Sequence, residues 1–172
     1  MIDVMLDLET LSTEQDAIVT NIGAVKMDME SLEVQEHGVF SMALNWNDQF
    51  KLGRSLHPST VRFWLSQDRE AIDGILKRPI VDNESVLKAF EFFMVGVDGL
   101  WGNGADFDCG ILHSLFKTYG RKTPWKYKQH RCFRTMKNLN PDVVPEKPTG
   151  IHHNALDDAI YQARWLMRIL AA

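Results

Sequence analysis

IDVMLDL (2–8) is apolar but for Asp3 and Asp7, and β-formers crowd AIVTNIGAVKMD (17–28), so both segments read as strands. VQEHGVFSMAL (34–44) makes a third, and the three together form a short meander. The period then lengthens to that of helices. HPSTVRFWLSQ (57–67) has Pro58 near a helix start and Val61, Trp64 and Leu65 on one face. SQDREAIDGILKRP (66–79) reads as a second short helix, capped by Ser66 and stopped before Pro79. NESVLKAFEFFMVGV (83–97) spaces Val86, Leu87, Phe90, Phe93, Met94 and Val97 as one helical stripe. DGLWGNG (98–104) is a short strand entering a glycine-rich turn, and ADFDCGILHSLFKTYG (105–120) a helix ending at Gly120. KYKQHRCF (126–133) supplies a last strand, and NALDDAIYQARWLMRIL (154–170) a long closing helix. Strands first, then alternation with helices, predicts a mixed α/β sheet with helices on its faces. No repeat, low-complexity stretch or linker divides the chain, and one domain over 1–172 is expected.

Four carboxylates sit where this pattern does not want them. Asp7 and Glu9 are two residues apart at a strand end, so they share a face and repel each other unless a cation lies between them. Asp108 opens the stripe Ile111, Leu112, Leu115, Tyr119, whereas Asp106 falls on a more polar side and suits a helix N-cap. On the last helix, Leu156, Ile160, Ala163, Met167 and Leu170 form the expected core stripe, and Asn154 the cap. Asp157 lies beside Tyr161, Arg164 and Arg168 on a solvated face. Asp158 lies beside Gln162, Trp165 and Ile169 on a partly apolar one. His153 precedes the cap and can lean over Asp158; His152 is expected to be exposed. An all-oxygen set of Asp and Glu suits Mg²⁺ or Mn²⁺ and not zinc or copper.

Charge sharpens this picture. The net charge of −4 speaks mildly against a polyanionic partner, but from 109 to 141 there are eight basic residues and no acidic one. Aromatic residues (Phe116, Tyr119, Trp125, Tyr127, Phe133) interleave with them, a composition that holds single strands without sequence preference. Cys109 and Cys132 form no CxxC pair, no run approaches the length of a membrane span, and the N-terminus has no signal-peptide pattern. A reducing, cytoplasmic setting is therefore expected.

DLET (7–10), NGADFD (103–108) and HNALDD (153–158), in this order and with the histidine five residues before the last aspartate, resemble the three motifs of the DEDDh (DnaQ-like) 3′–5′ exonuclease superfamily. The resemblance spans nearly the whole chain. It implies an RNase H-like fold, a five-stranded mixed sheet whose first three strands are antiparallel, with helices on both faces. Carried over by motif, Asp7, Glu9, Asp108 and Asp158 would hold two Mg²⁺ (or Mn²⁺) ions and His153 would be the general base. Thr10 and Leu11 would contact the terminal nucleotide, and Asn103 and Trp64 are further substrate-binding candidates, although core packing is the ranked reading of Trp64. Compact size and RCFRT (131–135) resemble the small stand-alone branch of phages and bacteria, whose members degrade RNA or DNA. The implied reaction releases nucleoside 5′-monophosphates from the 3′ end of single-stranded RNA or DNA, with a homodimer as the expected oligomeric state. Two other readings share these residues: a hydrolase of very short oligoribonucleotides, and a non-catalytic nucleic-acid-binding module, against which the intact acid set argues. A mononuclear iron site in HHNALDD would need two histidines to converge, which adjacent His152 and His153 do not do.

Overall fold

The computed structural model describes residues 1–77, 79–148 and 150–172. The sheet is built from β1 (Ile2–Thr10), β2 (Val19–Asp28), β3 (Glu33–Ala43), β4 (Gly99–Gly102) and β5 (His130–Cys132), in the spatial order β3-β2-β1-β4-β5. β1–β2 and β2–β3 are antiparallel; β4 joins β1 in parallel and β5 joins β4 in parallel. This is the five-stranded mixed sheet with an antiparallel opening that the motifs implied.

The alternation in β1 decides which face does what. Val4, Leu6 and Leu8 join the larger core with Val86, Leu87 and Phe90 of α4 (Asn83–Phe93) and Ile111, Leu112 and Leu115 of α5 (Asp108–Thr118). Met5 faces the other way, against Ala159, Ala163 and Leu166 of the 17-residue α7 (Ala155–Ala171) and Phe133 of α6 (Phe133–Leu139). Asp7 and Glu9 share the parity of Met5 and so point toward α7. A third cluster caps the strand ends: Leu11 and Ile18 pack with Trp64 of α2 (Pro58–Leu65) and with Ala71 and Ile75 of α3 (Arg69–Ile75). Arg54, 4% exposed, follows the short α1 (Trp46–Lys51). Its Nε donates to the Ala17 carbonyl (2.9 Å) and its Nη1 to the hydroxyls of Ser114 and Thr118, pinning the loop after β1 to α5.

Several expectations shift in register. Ser66 does not cap α3; it ends α2, its hydroxyl donating back to the Phe63 carbonyl (2.7 Å), and Asp68 occupies the N-cap without a side-chain bond. Leu65 is 72% exposed, because a two-turn helix buries only Trp64. Asp106 is not a helix cap: residues 105–107 form a turn, Phe107 precedes α5, and the Asp106 carbonyl accepts from Gln15 Nε2 (2.6 Å). Of the expected α7 stripe, Ala163 and Met167 are buried, but the buried face is rotated toward Ala155, Ala159, Gln162, Leu166 and Ile169, with Leu156 and Ile160 only half-buried and Leu170 exposed. α1 and α6 have no counterpart in the sequence pattern, and a 3₁₀ turn (Tyr127–Gln129) takes three of the eight residues of the segment read as the last strand. Arg78, in the segment read as the second short helix, lies outside the described residues.

Small residues explain the rotated stripe. α7 begins directly on β2, where a Cβ placed on Gly23 would fall 2.1 Å from the Ala155 carbonyl carbon. Gly23 is the β2 partner of Asp7, so this approach brings the first turn of α7 down onto the strand that carries the acids. At the opposite end of β1, the fully buried Asp3 carboxylate accepts from Trp101 Nε1 (2.7 Å) and from Arg131 Nε (3.0 Å), binding β1 to β4 and β5.

Gly23→Ala forces α7 off the sheet. A loss of about 1–3 kcal/mol is expected, read as a lower urea midpoint. An unchanged midpoint would mean that α7 does not press on β2 at this point.

Candidate active site

β1 ends at the floor of a cleft of about 700 Å³. Asp7, Glu9 and Asp158 line it, each with a ligand oxygen within 4.8 Å of the others. Asp158 arrives from the first turn of α7, whose N-cap Asn154 accepts from the Leu156 and Asp157 amides. Asp108 stands beside this triangle but is not a corner of it. It is 2% exposed, and its Oδ2 accepts from the Asn103 amide (2.9 Å), with the Leu8 amide a further donor. Its charge still acts on Asp7 more strongly than that of Glu9 or Asp158 does.

Crowding this many acids changes their chemistry. Burial, then the charges of Asp158 and Asp108, raises Glu9 to about 8. Burial also lifts Asp7 well above the usual carboxylate range, with Asp108, Glu9 and Asp158 adding to the shift. Desolvation carries Asp108 to about 7 and moves Asp158 upward. Among the described residues no lysine or arginine ion-pairs with any of the four. Glu9 Oε1 is buried without a hydrogen-bond partner. A set of hard oxygen donors, crowded and short of positive charge, fits a divalent cation of the Mg²⁺ or Mn²⁺ kind.

His153 sits above the acids in the left-handed region (φ 62°), a costly backbone for a residue other than glycine. Its amide donates to Asp158 Oδ2 (3.1 Å), and its ring meets Phe63 at 5.0 Å and Trp64 at 5.8 Å, both edge-on. Burial, then the neighbouring His152, lowers its proton affinity below the ordinary histidine value, with Asp158 opposing, so the imidazole is neutral and free to accept a proton near pH 7. His152 is exposed, as expected, yet it also lines the cleft, its ring 3.9 Å from that of His153.

The substrate-binding candidates divide. Thr10 lines the cleft and its hydroxyl donates to the Ser12 carbonyl (2.7 Å). Asn103 lines it too, with Oδ1 buried and unpaired. Trp64 serves both readings: 4% exposed and packed in the third core cluster, its indole donating to the Thr10 carbonyl (2.9 Å), it still forms part of the cleft wall. Leu11 does not reach the cleft; it is 5% exposed inside the same cluster. Much of the basic segment is structural. Arg121 grips Glu91 with two bonds (2.8 and 2.7 Å), Arg131 holds Asp3, and Phe116, Trp125 and Phe133 are buried.

Two residues the sequence did not single out hold the site in place. Gln162, one turn beyond Asp158, donates from Nε2 to Asp7 Oδ1 (2.8 Å), which favours the ionised form of Asp7. Asp157, read as an unremarkable surface acid, accepts the Ile151 amide (2.8 Å) and so fastens the loop that carries His153. Neither contact has a local signal: the first joins residues 155 positions apart, and the second depends on a turn shape.

The fold is similar to those of several solved nucleases. CRN-4, a cell-death related nuclease, is 19% identical with a TM-score of 0.67, covering 99% of this chain and 64% of its own. The nuclease domain of 3′hExo, a DEDDh family member bound to rAMP, is 16% identical with a TM-score of 0.66, covering 99% and 92%. E. coli exonuclease I, in complex with an oligonucleotide, is 15% identical with a TM-score of 0.58, covering 99% and 40%. The chain thus spans about two thirds of the first and less than half of the last, and at these identities the likeness is one of fold. No curated protein matches it by sequence. Residues 2–170 match the 3′-5′ exoribonuclease Rv2179c-like domain, and the chain belongs to that family.

Proposed function

We propose that this chain, as one domain over 1–172, hydrolyses single-stranded RNA or DNA from the 3′ end to nucleoside 5′-monophosphates, with divalent cations at the acid cluster and His153 as general base. The observation that carries the reading is the convergence of Asp7, Glu9 and Asp158 within 4.8 Å, from segments some 150 residues apart, with a histidine over the last of them. When bound, a pair of Mg²⁺ or Mn²⁺ ions would supply positive charge to the scissile phosphate and to both the attacking and leaving oxygens. Asp7, Glu9 and Asp158 are the residues to hold them, with Asp108 close enough to take part directly or through water. Gln162 opposes the upward shift of Asp7 and holds its carboxylate in the cleft. His153, packed against Phe63 and Trp64, takes the proton from the attacking water on a ring nitrogen. Thr10 and the Trp64 wall orient the nucleotide that leaves. The 3′–5′ direction rests on family membership.

With Mg²⁺ or Mn²⁺ and a 5′-labelled single strand, the protein is expected to give a ladder shortening from the 3′ end, abolished by EDTA and by Asp7→Asn. Intact RNA and DNA after such incubation would favour a binding module. Graded short RNAs separate a general exonuclease from an enzyme confined to a few nucleotides.

His153→Ala is expected to lower kcat by about 10²–10⁴ with metal binding retained; a loss of that size in His152→Ala instead transfers the role to the neighbour.

The acids also set a pH dependence. Their folded-state pKa values lie above the unfolded ones, so their contribution to metal-free stability is full below about pH 4 and is lost as pH rises toward the Glu9 value of about 8. Thermal melts in EDTA should therefore show Tm falling from pH 5 to pH 8, with added Mn²⁺ raising it most at the alkaline end. Asp7→Asn should raise the EDTA value and abolish the Mn²⁺ increment. A Tm independent of both pH and metal would contradict the electrostatic picture of the cleft.

A further inference from the structure

The acids do not lie at the end of the cleft. Toward the N-terminus of α7 it is walled by His153, Phe63 and Trp64. In the other direction it continues along α7 past Gln162 to Tyr161 and Trp165. At 1.5 Å per residue, Trp165 stands about 10 Å along the helix axis from Asp158. Its indole is fixed, donating to the Val143 carbonyl (2.9 Å) and packing edge-on against Phe133 at 5.6 Å. The Tyr161 ring lies 6.0 Å from it. Over this aromatic shelf lies Lys137 of α6, its Nζ 5.4 Å from the Trp165 ring centroid and 5.8 Å from that of Phe133. Among the described residues, Lys137 is the one lysine or arginine lining the cleft, and it forms no ion pair there.

A mononucleotide has one phosphate, and the acid cluster with its cations takes that one. A lysine farther along the cleft meets a phosphate only if a second nucleotide is present. In removal from a 3′ end every further phosphate belongs to the retained strand, on the 5′ side. We propose that Tyr161, Trp165 and Lys137 form a subsite for the nucleotide immediately 5′ of the one being removed. Lys137 pairs with its phosphate, and the aromatic shelf carries its base. The assignment rests on the exonuclease reading and extends it: the enzyme binds the strand it keeps as well as the nucleotide it releases. Stacking of this kind is indifferent to base identity, so the subsite favours a strand over a mononucleotide ester without favouring a sequence.

Two substrates test it: the p-nitrophenyl ester of thymidine 5′-monophosphate, which has no second phosphate, and a 5′-labelled single strand. In Lys137→Ala, the ratio of kcat/KM for the strand to that for the ester is expected to fall about tenfold. The slope of log KM for the strand against log salt should drop by about 0.7, the value for one lost phosphate contact on a single strand. Lys137→Arg should restore both, and a folding defect would instead lower turnover of the ester along with that of the strand. An unchanged ratio and slope, with both substrates turned over, overturns the subsite alone. Turnover of neither substrate by the unaltered protein overturns the exonuclease reading, and the subsite with it.

Discussion

The site depends on how closely one helix can approach one strand. Only a glycine at position 23 lets the Ala155 backbone rest on β2, and Gly23 is the residue hydrogen-bonded beside Asp7. Ala159 and Ala163 continue the contact with side chains too short to hold α7 away. The helix therefore lies low over the sheet, and its first two turns bring Asp158 and Gln162 to the carboxylates of β1. Fold and chemistry meet in this one contact, since a bulkier interface would be just as good a core and would leave Asp158 out of reach of Glu9.

What is assembled there is unfavourable by itself. Buried acids without cationic partners oppose folding near neutral pH, and the apolar wall of Phe63 and Trp64 makes their surroundings drier. The stabilising interactions lie elsewhere: Asp3 with Arg131 and Trp101, Arg54 in the loop after β1, and the two cores on either side of the sheet. The same division appears among the basic residues. Arg121 and Arg131 are consumed in ion pairs that hold elements together, whereas Lys137 is left facing the cleft. Net charge over a segment does not distinguish these roles; partners do.

Local pattern made part of this legible. The two-residue period of β1 put Asp7 and Glu9 on one face, and the helical stripe separated Asp108, 2% exposed, from the exposed Asp106. Other features depend on distant contacts and have no local trace. On α7 the expected stripe meets the buried face only at Ala163 and Met167, because periodicity weights large residues and here small alanines face the sheet. Asp157 looked solvated because a helix wheel says nothing of the loop before it. Leu11 follows the acid motif in sequence but turns into the third cluster with Ile18, so adjacency to a site residue did not place it at the site. The short helices α1 and α6 bury one residue each, Gln49 and Phe133, and so present no apolar stripe to read.

The bond between Asp3 and Arg131 joins residues 128 positions apart and crosses from the first strand to the last. During synthesis β1 can pair with β2, and β2 with β3, almost at once, as a local hairpin series. Its other edge, and the carboxylate of Asp3, stay uncovered until β4 and then β5 leave the ribosome. For most of its time as a nascent chain the molecule is thus half a sheet with an open, apolar-flanked margin, the state in which strands most readily recruit the wrong neighbour.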